Sequence, residues 1–389
     1  MNFNGIYSMQ TAGKVIAGVN ATDSLSVVVK EFNTDKTLIV TDMGVWKAGL
    51  VEKAESLLKV NGTQVDIIND APAEPELNEV MHIFDRVKNK KYGLLIGIGG
   101  GSVMDVTKLL SVLMTNNIPL ENMIGTEKIP LKGIPTLMIP TTAGTGSEAT
   151  PNAIVAIPEQ ELKVGIVSHW LIPDRVILDP VMTLKLPPSV TASTGMDALA
   201  HAIECYISKK ANPFSDVLAL KAINLIYRSI YKAYKSGGDI NSRHDMLLGS
   251  YFAGMCIASS STAAVHALAY PLGGKFKIPH GISNAILLPH VMEFNSDVVE
   301  SKLRDVAVHM NIDISTLTDR VAADKVIEKL YEITRDLNIP SGLKSFGISV
   351  CDVDEMVAAA SKVTRLLDNN PKEMHPKDMK CIYCKLLTD

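Results

Sequence analysis

The stretch YGLLIGIGGGSVMDVTK, residues 92–108, decides the fold of the N-terminal half of the chain. An apolar run ends in three glycines, Gly99, Gly100 and Gly101, and a helical pattern follows at once. Glycine lets a backbone approach a ligand closely, Ser102 supplies a hydroxyl group, and the first turn of a helix offers unpaired N–H groups to a phosphate. The stretch therefore indicates a pyrophosphate-binding turn, although glycines also serve ordinary strand-to-helix turns.

Strand and helix patterns alternate on both sides of this turn up to about residue 180. The strand patterns are KTLIVT, QVDIIND and YGLLIGIG, and the helical patterns are GLVEKAESLLKV, ELNEVMHIFDRVKN and VTKLLSVLMTN. Alternation of this kind predicts an α/β domain whose parallel sheet is flanked by helices.

The second half of the chain has a different pattern. Long stretches such as DVLALKAINLIYRSIYKAY and ADKVIEKLYEITRDLN carry helical periodicity with no strand runs between them, which predicts an all-α domain. A chain of 389 residues is too long for one hydrophobic core. Prolines at 180, 187 and 188 interrupt both kinds of element. We therefore expect two domains, residues 1–183 and residues 184–389.

Composition excludes several classes of protein. The chain has 47% hydrophobic and 21% charged residues with a formal net charge of −4, and no cluster of Lys and Arg suggests a nucleic-acid partner. The N-terminus lacks the pattern of a signal peptide, and no apolar run is long enough to span a bilayer, so we expect a cytoplasmic protein with no membrane partner. Five scattered cysteines argue against a disulfide framework, and we interpret Cys381 and Cys384 as a chance CxxC pair.

Two further segments suit a dinucleotide. Asp42 ends an early strand pattern, where a carboxylate can accept hydrogen bonds from ribose hydroxyls and repel a 2′-phosphate; alone, it reads as an ordinary turn residue. The loop PTTAGTGSEAT, residues 140–150, holds five hydroxyl side chains directly after a buried-type strand pattern. That density of small hydrogen-bonding groups at a strand end is typical of a ligand rim.

The stretch TGMDALAHAIE, residues 194–204, carries candidate metal ligands. Asp197 and His201 lie four residues apart, so they share one face of a helix and can hold the same ion. His266 and His280 complete a set suited to Fe²⁺ or Zn²⁺. Each histidine taken singly is more often an ordinary core residue, and spacing alone does not show convergence. Glu204, seven residues after Asp197, lies on the same face and can support the ligands.

Taken together, GGGSVMDVTK, PTTAGTGSEAT, LDP at 178–180, TGMDALAHAIE and VHALAYPLGGKFKIPHGISNAILLPHV make the chain resemble the iron-containing (group III) alcohol dehydrogenases. The resemblance covers nearly the whole chain. It implies an N-terminal dinucleotide-binding α/β domain, an all-α C-terminal metal-binding domain, and a cleft between them holding NAD and a divalent ion. It also implies an NAD-dependent alcohol dehydrogenase or aldehyde reductase that forms a homodimer or larger homo-oligomer.

The resemblance also assigns roles to individual residues. The metal ligands would be Asp197, His201, His266 and His280. The residues expected to contact the cofactor are Asp42, Gly99, Gly100, Gly101, Ser102, Asp105, Thr141, Thr142, Thr145, Ser147 and Lys163. Asn152 falls where some relatives place a substrate-facing side chain.

Two departures from the family pattern concern the chemistry. Tyr270 stands where many members have a second histidine credited with proton relay, and a phenol with an ordinary pKa near 10 is a poor base at neutral pH. Lys275 and Lys277 stand where many relatives have apolar residues; they are either solvated or, if one faces the substrate, able to neutralise an anionic substituent. The substrate is therefore a small alcohol or aldehyde, or alternatively a short aldehyde that carries an anionic group.

Other functions compatible with this architecture are those of glycerol dehydrogenase and dehydroquinate synthase, which resemble the same layout. A non-catalytic nucleotide or metal sensor is a further alternative, which predicts that one ligand is missing. All four ligand positions are filled in this sequence.

Overall fold

The computed structural model describes residues 6–157 and 162–388. The strands, in chain order, are β1 (Lys14–Ala17), β2 (Lys36–Val40), β3 (Gln64–Ile68), β4 (Leu94–Gly99), β5 (Gly125–Thr126), β6 (Thr136–Pro140), β7 (Asn152–Ile157), β8 (Leu162–Val167) and β9 (Arg175–Leu178).

Six of these strands form one parallel sheet in the order β1-β9-β6-β4-β2-β3. Every residue of the central strand β4 is buried, as expected of a strand covered on both faces. Side chains of β2 alternate between two apolar clusters: Leu38 and Val40 join one, and Ile39 joins the other. The parallel sheet predicted from the sequence is confirmed.

A second, three-stranded sheet in the order β5-β8-β7 was not expected from the sequence. β7 and β8 pair in antiparallel fashion, with Asn152 opposite Val167 and Ala156 opposite Lys163. β7 and β8 are the strands that follow the hydroxyl-rich loop along the chain.

The first part of the chain supplies the helices α1 (Leu25–Val28), α2 (Met43–Lys47), α3 (Glu52–Val60), α4 (Leu77–Val87) and α5 (Gly101–Leu113). From residue 187 onward the regular elements among the described residues are helical, which confirms the predicted all-α part. They are α6 (Pro188–Ile207), α7 (Pro213–Lys235), α8 (Ile240–Ser260), α9 (Ala264–Phe276), α10 (His280–Asn295), α11 (Glu300–His309), α12 (Asp319–Asp336), α13 (Val353–Ser361), α14 (Thr364–Leu367) and α15 (Pro376–Lys385).

The described chain divides into two compact units. The α/β unit comprises Gln10–Leu186 together with Gly238–Leu247, and the helical unit comprises residues 6–9, Pro187–Gly237 and residues 248–388. The sequence predicts two domains that meet between residues 183 and 184, and this boundary remains a prediction.

No single helix in residues 6–157 and 162–388 combines the length and the apolar composition that a membrane crossing requires. Ile240–Ser260 and Ala264–Phe276 satisfy that test only as a pair, and the pair is bent by 105° at its break.

Candidate functional site

The four predicted metal ligands converge within the helical unit. α6 carries Asp197 and His201, the first turn of α9 carries His266, and His280 is the first residue of α10. Asp197 Oδ1 lies 3.9 Å from His201 Nε2, 3.8 Å from His266 Nε2 and 3.7 Å from His280 Nε2. One ligand atom from each residue falls within 4.8 Å of the other three.

Close packing of α10 on α6 brings His280 to this cluster. A methyl group added at Gly281 would lie 2.3 Å from the backbone oxygen of Ser193, so only glycine permits this approach. α9 is followed by Lys277, whose φ of 55° is left-handed, and Pro279 then precedes the first turn of α10. Pro279 and Gly281 therefore place His280 by backbone geometry.

Glu204 orients one of the imidazoles. Its Oε2 atom hydrogen-bonds with His266 Nδ1, and its Oε1 atom accepts from the backbone N–H of Val265 at 2.7 Å. Burial raises the pKa of Glu204 to about 8 and lowers the pKa of His266 to about 4. A metal ligand needs a free lone pair on Nε2, so when His266 serves as one, the shared proton would lie on Nδ1 and Glu204 would accept the hydrogen bond as a carboxylate.

The chemistry of the donor set fits a divalent cation. Nδ2 of Asn284 lies 2.6 Å from Asp197 Oδ1 and 3.1 Å from Nε2 of both His266 and His280. An amide has only two hydrogens, so it cannot satisfy three acceptors fully. Among the described residues, Oδ1 of Asn284 is itself buried without a hydrogen-bond partner. One carboxylate and three imidazoles around this point match the ligands that Fe²⁺ and Zn²⁺ accept.

Tyr270 lies one helical turn after His266 and is half-buried. The positive charge of Arg365 lies near enough to this phenol to lower its pKa. Burial raises the pKa of Tyr270, and the charge of Arg365 offsets this only in part. Tyr270 therefore keeps its proton at neutral pH and cannot serve as a base.

Lys275, predicted to contact an anionic substrate, has other partners. Its ammonium group pairs with the carboxylate of Glu355 and lies 3.8 Å from Asp352 Oδ1. Glu355 belongs to α13 and Asp352 directly precedes it, so Lys275 already has carboxylate partners in that part of the chain. A role of Lys275 in substrate binding remains a prediction, and these contacts do not favour it.

In the α/β unit, the predicted cofactor segments leave the sheet at one edge. β4 lies between β2 and β6, and Gly99 is in register with Pro140. The glycine turn follows β4, Asp42 follows β2, and the hydroxyl-rich loop follows β6, so all three lie at the carboxyl ends of neighbouring parallel strands. This edge is where open α/β sheets bind ligands. The backbone N–H of Thr141 donates to Gly99 O at 2.9 Å and ties the loop to the turn.

Glycine is required where the turn and the loop meet. A methyl group added at Gly101 would lie 2.7 Å from Thr145 Cγ2, and one at Gly99 would lie 2.6 Å from Val103 Cβ. One at Gly100 would only touch Thr142, at 3.4 Å. The turn is thus a tight backbone cradle, which fits the approach of a pyrophosphate.

Ser102 and Lys163 are linked through Glu74. Ser102 Oγ accepts from the backbone N–H of Glu74 at 3.0 Å, and Lys163 Nζ pairs with Glu74 Oε1 at 2.6 Å. Glu74 has a left-handed backbone, with φ of 51°. Asp42 uses Oδ1 to cap α2, accepting from the N–H groups of residues 44 and 45 at 2.7 and 2.9 Å.

Asp105 and Ser147 form part of a buried network. Ser147 Oγ donates to Asp105 Oδ1 at 2.6 Å, and Asp105 Oδ2 accepts from the backbone of Ile154 at 3.1 Å. Lys108, also buried, donates to Ser147 Oγ and to the backbone oxygens of residues 150 and 152. These side chains hold the hydroxyl-rich loop and the start of β7, including Asn152, so the contribution of Asp105 and Ser147 to cofactor binding would be indirect.

Sequence reasoning did not single out Asn284, Lys108, Glu148, Glu74 or Arg365. Asn284 had a signal, because it lies four residues after His280 and therefore on the same helical face. Lys108 follows Asp105 by three residues, a spacing that places the two side chains on one face of α5. Arg365 had no such signal, since it lies far along the chain from every ligand.

A dinucleotide-type turn at the carboxyl edge of a parallel sheet and a buried cluster of one aspartate and three histidines define a metal-dependent oxidoreductase. Residues 12–180 match the family described as iron-containing alcohol dehydrogenase, and residues 191–387 match the Fe-containing alcohol dehydrogenase family, C-terminal. The chain belongs to the iron-containing alcohol dehydrogenase family. It is an oxidoreductase that acts on the CH–OH group of small alcohols and on aldehydes, with NAD and a divalent metal, Fe²⁺ or Zn²⁺, as cofactors.

Similar proteins resemble this chain over nearly its whole length. Long-chain-alcohol dehydrogenase 1 of Geobacillus thermodenitrificans (strain NG80-2) is 38% identical over 370 residues, covering 94% of this chain and 93% of that protein. Sulfoacetaldehyde reductase of Bilophila wadsworthia (strain 3_1_6) is 34% identical over 366 residues, covering 93% and 94%. The crystal structure of a 1,3-propanediol oxidoreductase matches with a TM-score of 0.95 at 32% identity, covering 98% of this chain and 100% of that one.

Proposed function

We propose that Asp197, His201, His266 and His280 bind the catalytic metal, and that the glycine turn with the hydroxyl-rich loop binds NAD. The observation that carries the proposal is the convergence of one carboxylate oxygen and three imidazole nitrogens within 4.8 Å of one another. The ion, when bound, supplies Lewis-acid polarisation of the substrate oxygen, and the nicotinamide supplies or accepts the hydride.

The residues of the chain prepare this site. Asp197 is the one anionic member of the four ligands, so the cluster neutralises only part of the charge of a divalent ion. The remaining positive charge favours an oxygen that becomes negative during the reaction. Glu204 would keep the Nε2 lone pair of His266 available by accepting a hydrogen bond from Nδ1–H. Tyr270 keeps its own proton and acts as a hydrogen-bond partner of the substrate rather than as a base.

In the α/β unit, Gly99, Gly100 and Gly101 would approach the pyrophosphate, and Ser102 would add a hydroxyl group. Thr141, Thr142 and Thr145 would line the cofactor from the second loop, while Lys163 and Asp42 would face its riboses. The second oxygen of Asp42 is the part of that side chain proposed to favour NAD over NADP, since Oδ1 caps α2.

The named substrates of the relatives are a guide to the range of compounds to test. They comprise long-chain alcohols, sulfoacetaldehyde and 1,3-propanediol, so members of the family accept both neutral and anionic molecules. We propose a short alcohol or aldehyde for this chain, with Asn152 near the substrate. Assembly as a homodimer or larger homo-oligomer in the cytoplasm belongs to the same proposal and is tested by light scattering and cell fractionation.

The metal assignment is tested with Asp197→Ala and His280→Ala. Both variants should lose bound metal and NADH-dependent aldehyde reduction while NADH still binds, as measured by elemental analysis, absorbance at the NADH band and NADH fluorescence. His290→Ala is the control, because this histidine lies on α10 but contacts Tyr331 instead of the cluster. Near-normal turnover by either ligand variant after metal removal would contradict the assignment.

A further inference from the structure

The loop between β3 and α4, residues 69–76, passes beside the glycine turn. It leaves the parallel sheet at the same carboxyl edge as that turn, because β3 runs parallel to its neighbour β2. The backbone N–H of Ala71 donates to Thr41 O at 3.1 Å, which holds the start of the loop against the end of β2. Farther along, the backbone N–H of Glu74 donates to Ser102 Oγ at 3.0 Å. The loop therefore touches the segment proposed to bind the pyrophosphate.

The backbone of Glu74 is held in an uncommon conformation. Its φ of 51° is left-handed, which is rare for a residue other than glycine or asparagine. The next two residues are tied to β7: Pro75 O accepts from the backbone N–H of Ala156 at 2.9 Å, and Glu76 forms an isolated parallel bridge with the same residue. Contacts with α5 on one side and with β7 on the other thus keep Glu74 in this conformation.

Ser102 keeps its hydroxyl hydrogen for a ligand. Its Oγ atom accepts the hydrogen bond from Glu74, and among the described residues it donates to no acceptor of the protein. A serine hydroxyl can accept and donate at the same time, whereas an ionised phosphate oxygen only accepts. The N–H group of Glu74 thus occupies the accepting side of Ser102 and leaves the O–H group for a phosphate.

The side chain of Glu74 holds Lys163, which belongs to β8. Lys163 Nζ lies 2.6 Å from Glu74 Oε1, and the side chain of Lys163 is only 10% exposed. An ammonium group has three N–H donors, so two remain beside the one directed at Glu74, and a ribose offers two hydroxyls. Asp42 is proposed to face the adenosine ribose, which carries the 2′-phosphate in NADP. The nicotinamide ribose is therefore the one left for Lys163.

We propose that Glu74 is a positioning residue for the cofactor: its backbone N–H orients the Ser102 hydroxyl towards the pyrophosphate, and its carboxylate orients the Lys163 ammonium towards the nicotinamide ribose. Lysine has a long flexible side chain, and anchoring its ammonium group at a carboxylate lowers the entropy that is lost when the cofactor binds. The inference rests on the proposed function, in which Ser102 and Lys163 contact NAD.

The test compares NADH with ADP, which has the diphosphate but lacks the nicotinamide ribose. Calorimetry measures the binding of each to the metal-loaded, full-length enzyme. Glu74→Gln keeps the backbone N–H and the length of the side chain but removes the charge that holds Lys163. It should weaken NADH binding by about three- to tenfold, a loss limited by the partial exposure of Glu74, and should change ADP binding less than about twofold.

Ser102→Ala should weaken the binding of both NADH and ADP, because both contain the diphosphate. A general distortion of the loop by Glu74→Gln would weaken the binding of ADP as much as that of NADH, and such equal losses would overturn the inference. Unchanged ADP binding in Ser102→Ala would overturn the role assigned to the backbone of Glu74.

A double-mutant cycle with Lys163→Met shows whether the carboxylate of Glu74 acts through Lys163. The variant with both substitutions should bind NADH no more weakly than Lys163→Met alone, because Glu74→Gln has nothing further to remove. Additive losses would overturn the inference. Glu55→Gln is the matched control, since Glu55 is a partly exposed carboxylate of the same unit that pairs with Lys59. It should bind both ligands as the wild type does.

The same measurements separate this inference from the proposed function. Weaker NADH binding in Lys163→Met, with unchanged NADH binding in Glu74→Gln, would overturn the role of Glu74 and leave the proposed cofactor site standing. Unchanged NADH binding in both Lys163→Met and Ser102→Ala would contradict the contacts proposed for the cofactor, and the inference would fail with them.

Discussion

Glu204 hydrogen-bonds with Nδ1 of His266, whose Nε2 atom lies 3.8 Å from Asp197 Oδ1. Glu204 and Asp197 both belong to α6, seven residues apart, whereas His266 belongs to α9. One helix thus supplies both a metal ligand and the group that orients a ligand on another helix. This arrangement makes the geometry of the metal cluster depend on how α6 and α9 pack.

Glu204→Ala should weaken metal binding by about 10- to 100-fold, because His266 loses the acceptor that fixes its tautomer and ring orientation. Glu204→Gln should weaken it less, since the amide oxygen can still accept from Nδ1. Competition against a chromogenic chelator measures both affinities. Glu293→Ala, which removes an exposed carboxylate on α10, is the control. Wild-type affinity in Glu204→Ala would contradict this role.

Asn284→Ala should destabilise the protein more without metal than with it. Once a chelator has removed the ion, the lone pairs of Asp197, His266 and His280 need the amide hydrogens of Asn284. Losing a donor to a buried charged group costs about 1–3 kcal/mol. Thermal unfolding with and without chelator measures the difference.

The control for this experiment is Asn295→Ala on the same helix, whose amide pairs with the buried Asn370 away from the cluster. Asn295→Ala should lower the stability by the same amount with and without chelator. If Asn284→Ala also costs the same with and without metal, Asn284 has no special relation to the site.

The pairing of Asp197 with His201 was predictable because it depends only on the repeat of a helix. Their convergence with His266 and His280 depends on tertiary packing, including the approach of Gly281 to the backbone of Ser193, which spacing does not encode. Arg365 was not predictable for the same reason. It lies in a four-residue helix whose contact with α9 is visible only in the folded chain.

In the α/β unit, long apolar runs such as β4 identified the parallel strands, because strands buried on both faces contain few polar residues. The sheet containing β7 and β8 was missed, although both strands are as long as β4 and mostly apolar. They pair with each other in antiparallel fashion outside the parallel sheet, and the alternation of strand and helix patterns does not predict such a pairing. Lys108 was also missed as a buried group. A lysine on a helix normally lies at the surface, and only the acceptors at residues 147, 150 and 152 make its burial possible.

Gly101→Ala should weaken NADH binding by about tenfold or more, because overpacking of this kind costs about 1–3 kcal/mol. The added methyl group would lie 2.7 Å from Thr145 Cγ2 and would force the glycine turn away from the second loop. Fluorescence titration with NADH measures the effect, and metal content should not change because the ligands belong to the helical unit. Gly238→Ala, with no atom within 4 Å of the added methyl, should bind NADH normally. Unchanged NADH binding in Gly101→Ala would argue against this turn as the cofactor site.

Glu148→Gln should stabilise the protein at pH 7.5 but not at pH 4.5. Glu148 is buried, its Oε1 has no hydrogen-bond partner among the described residues, and burial raises its pKa to about 7, against the smaller effects of its own backbone N–H and of Lys108. Because this folded-state pKa lies above the unfolded value, the folded protein retains a proton that the unfolded chain releases. Wild-type stability therefore falls as pH rises from about 4.5 to 7, by up to about 3 kcal/mol.

The neutral amide of Glu148→Gln does not titrate, so the difference between the two free energies of unfolding should grow across this pH range. Urea unfolding of both proteins at pH 4.5, 6 and 7.5 measures it. Burial lowers the pKa of the neighbouring Lys108 to about 8, and the charge of Glu148 opposes this shift, so the comparison at pH 7.5 also includes a change at Lys108. The comparison between pH 4.5 and 6, where Lys108 keeps its proton, reports on Glu148. Glu121→Gln, at an exposed carboxylate in the same unit, should show a difference that does not vary with pH. A constant difference for Glu148→Gln as well would mean that Glu148 is ionised in the folded protein throughout the range, and that water or Lys108 compensates its buried charge.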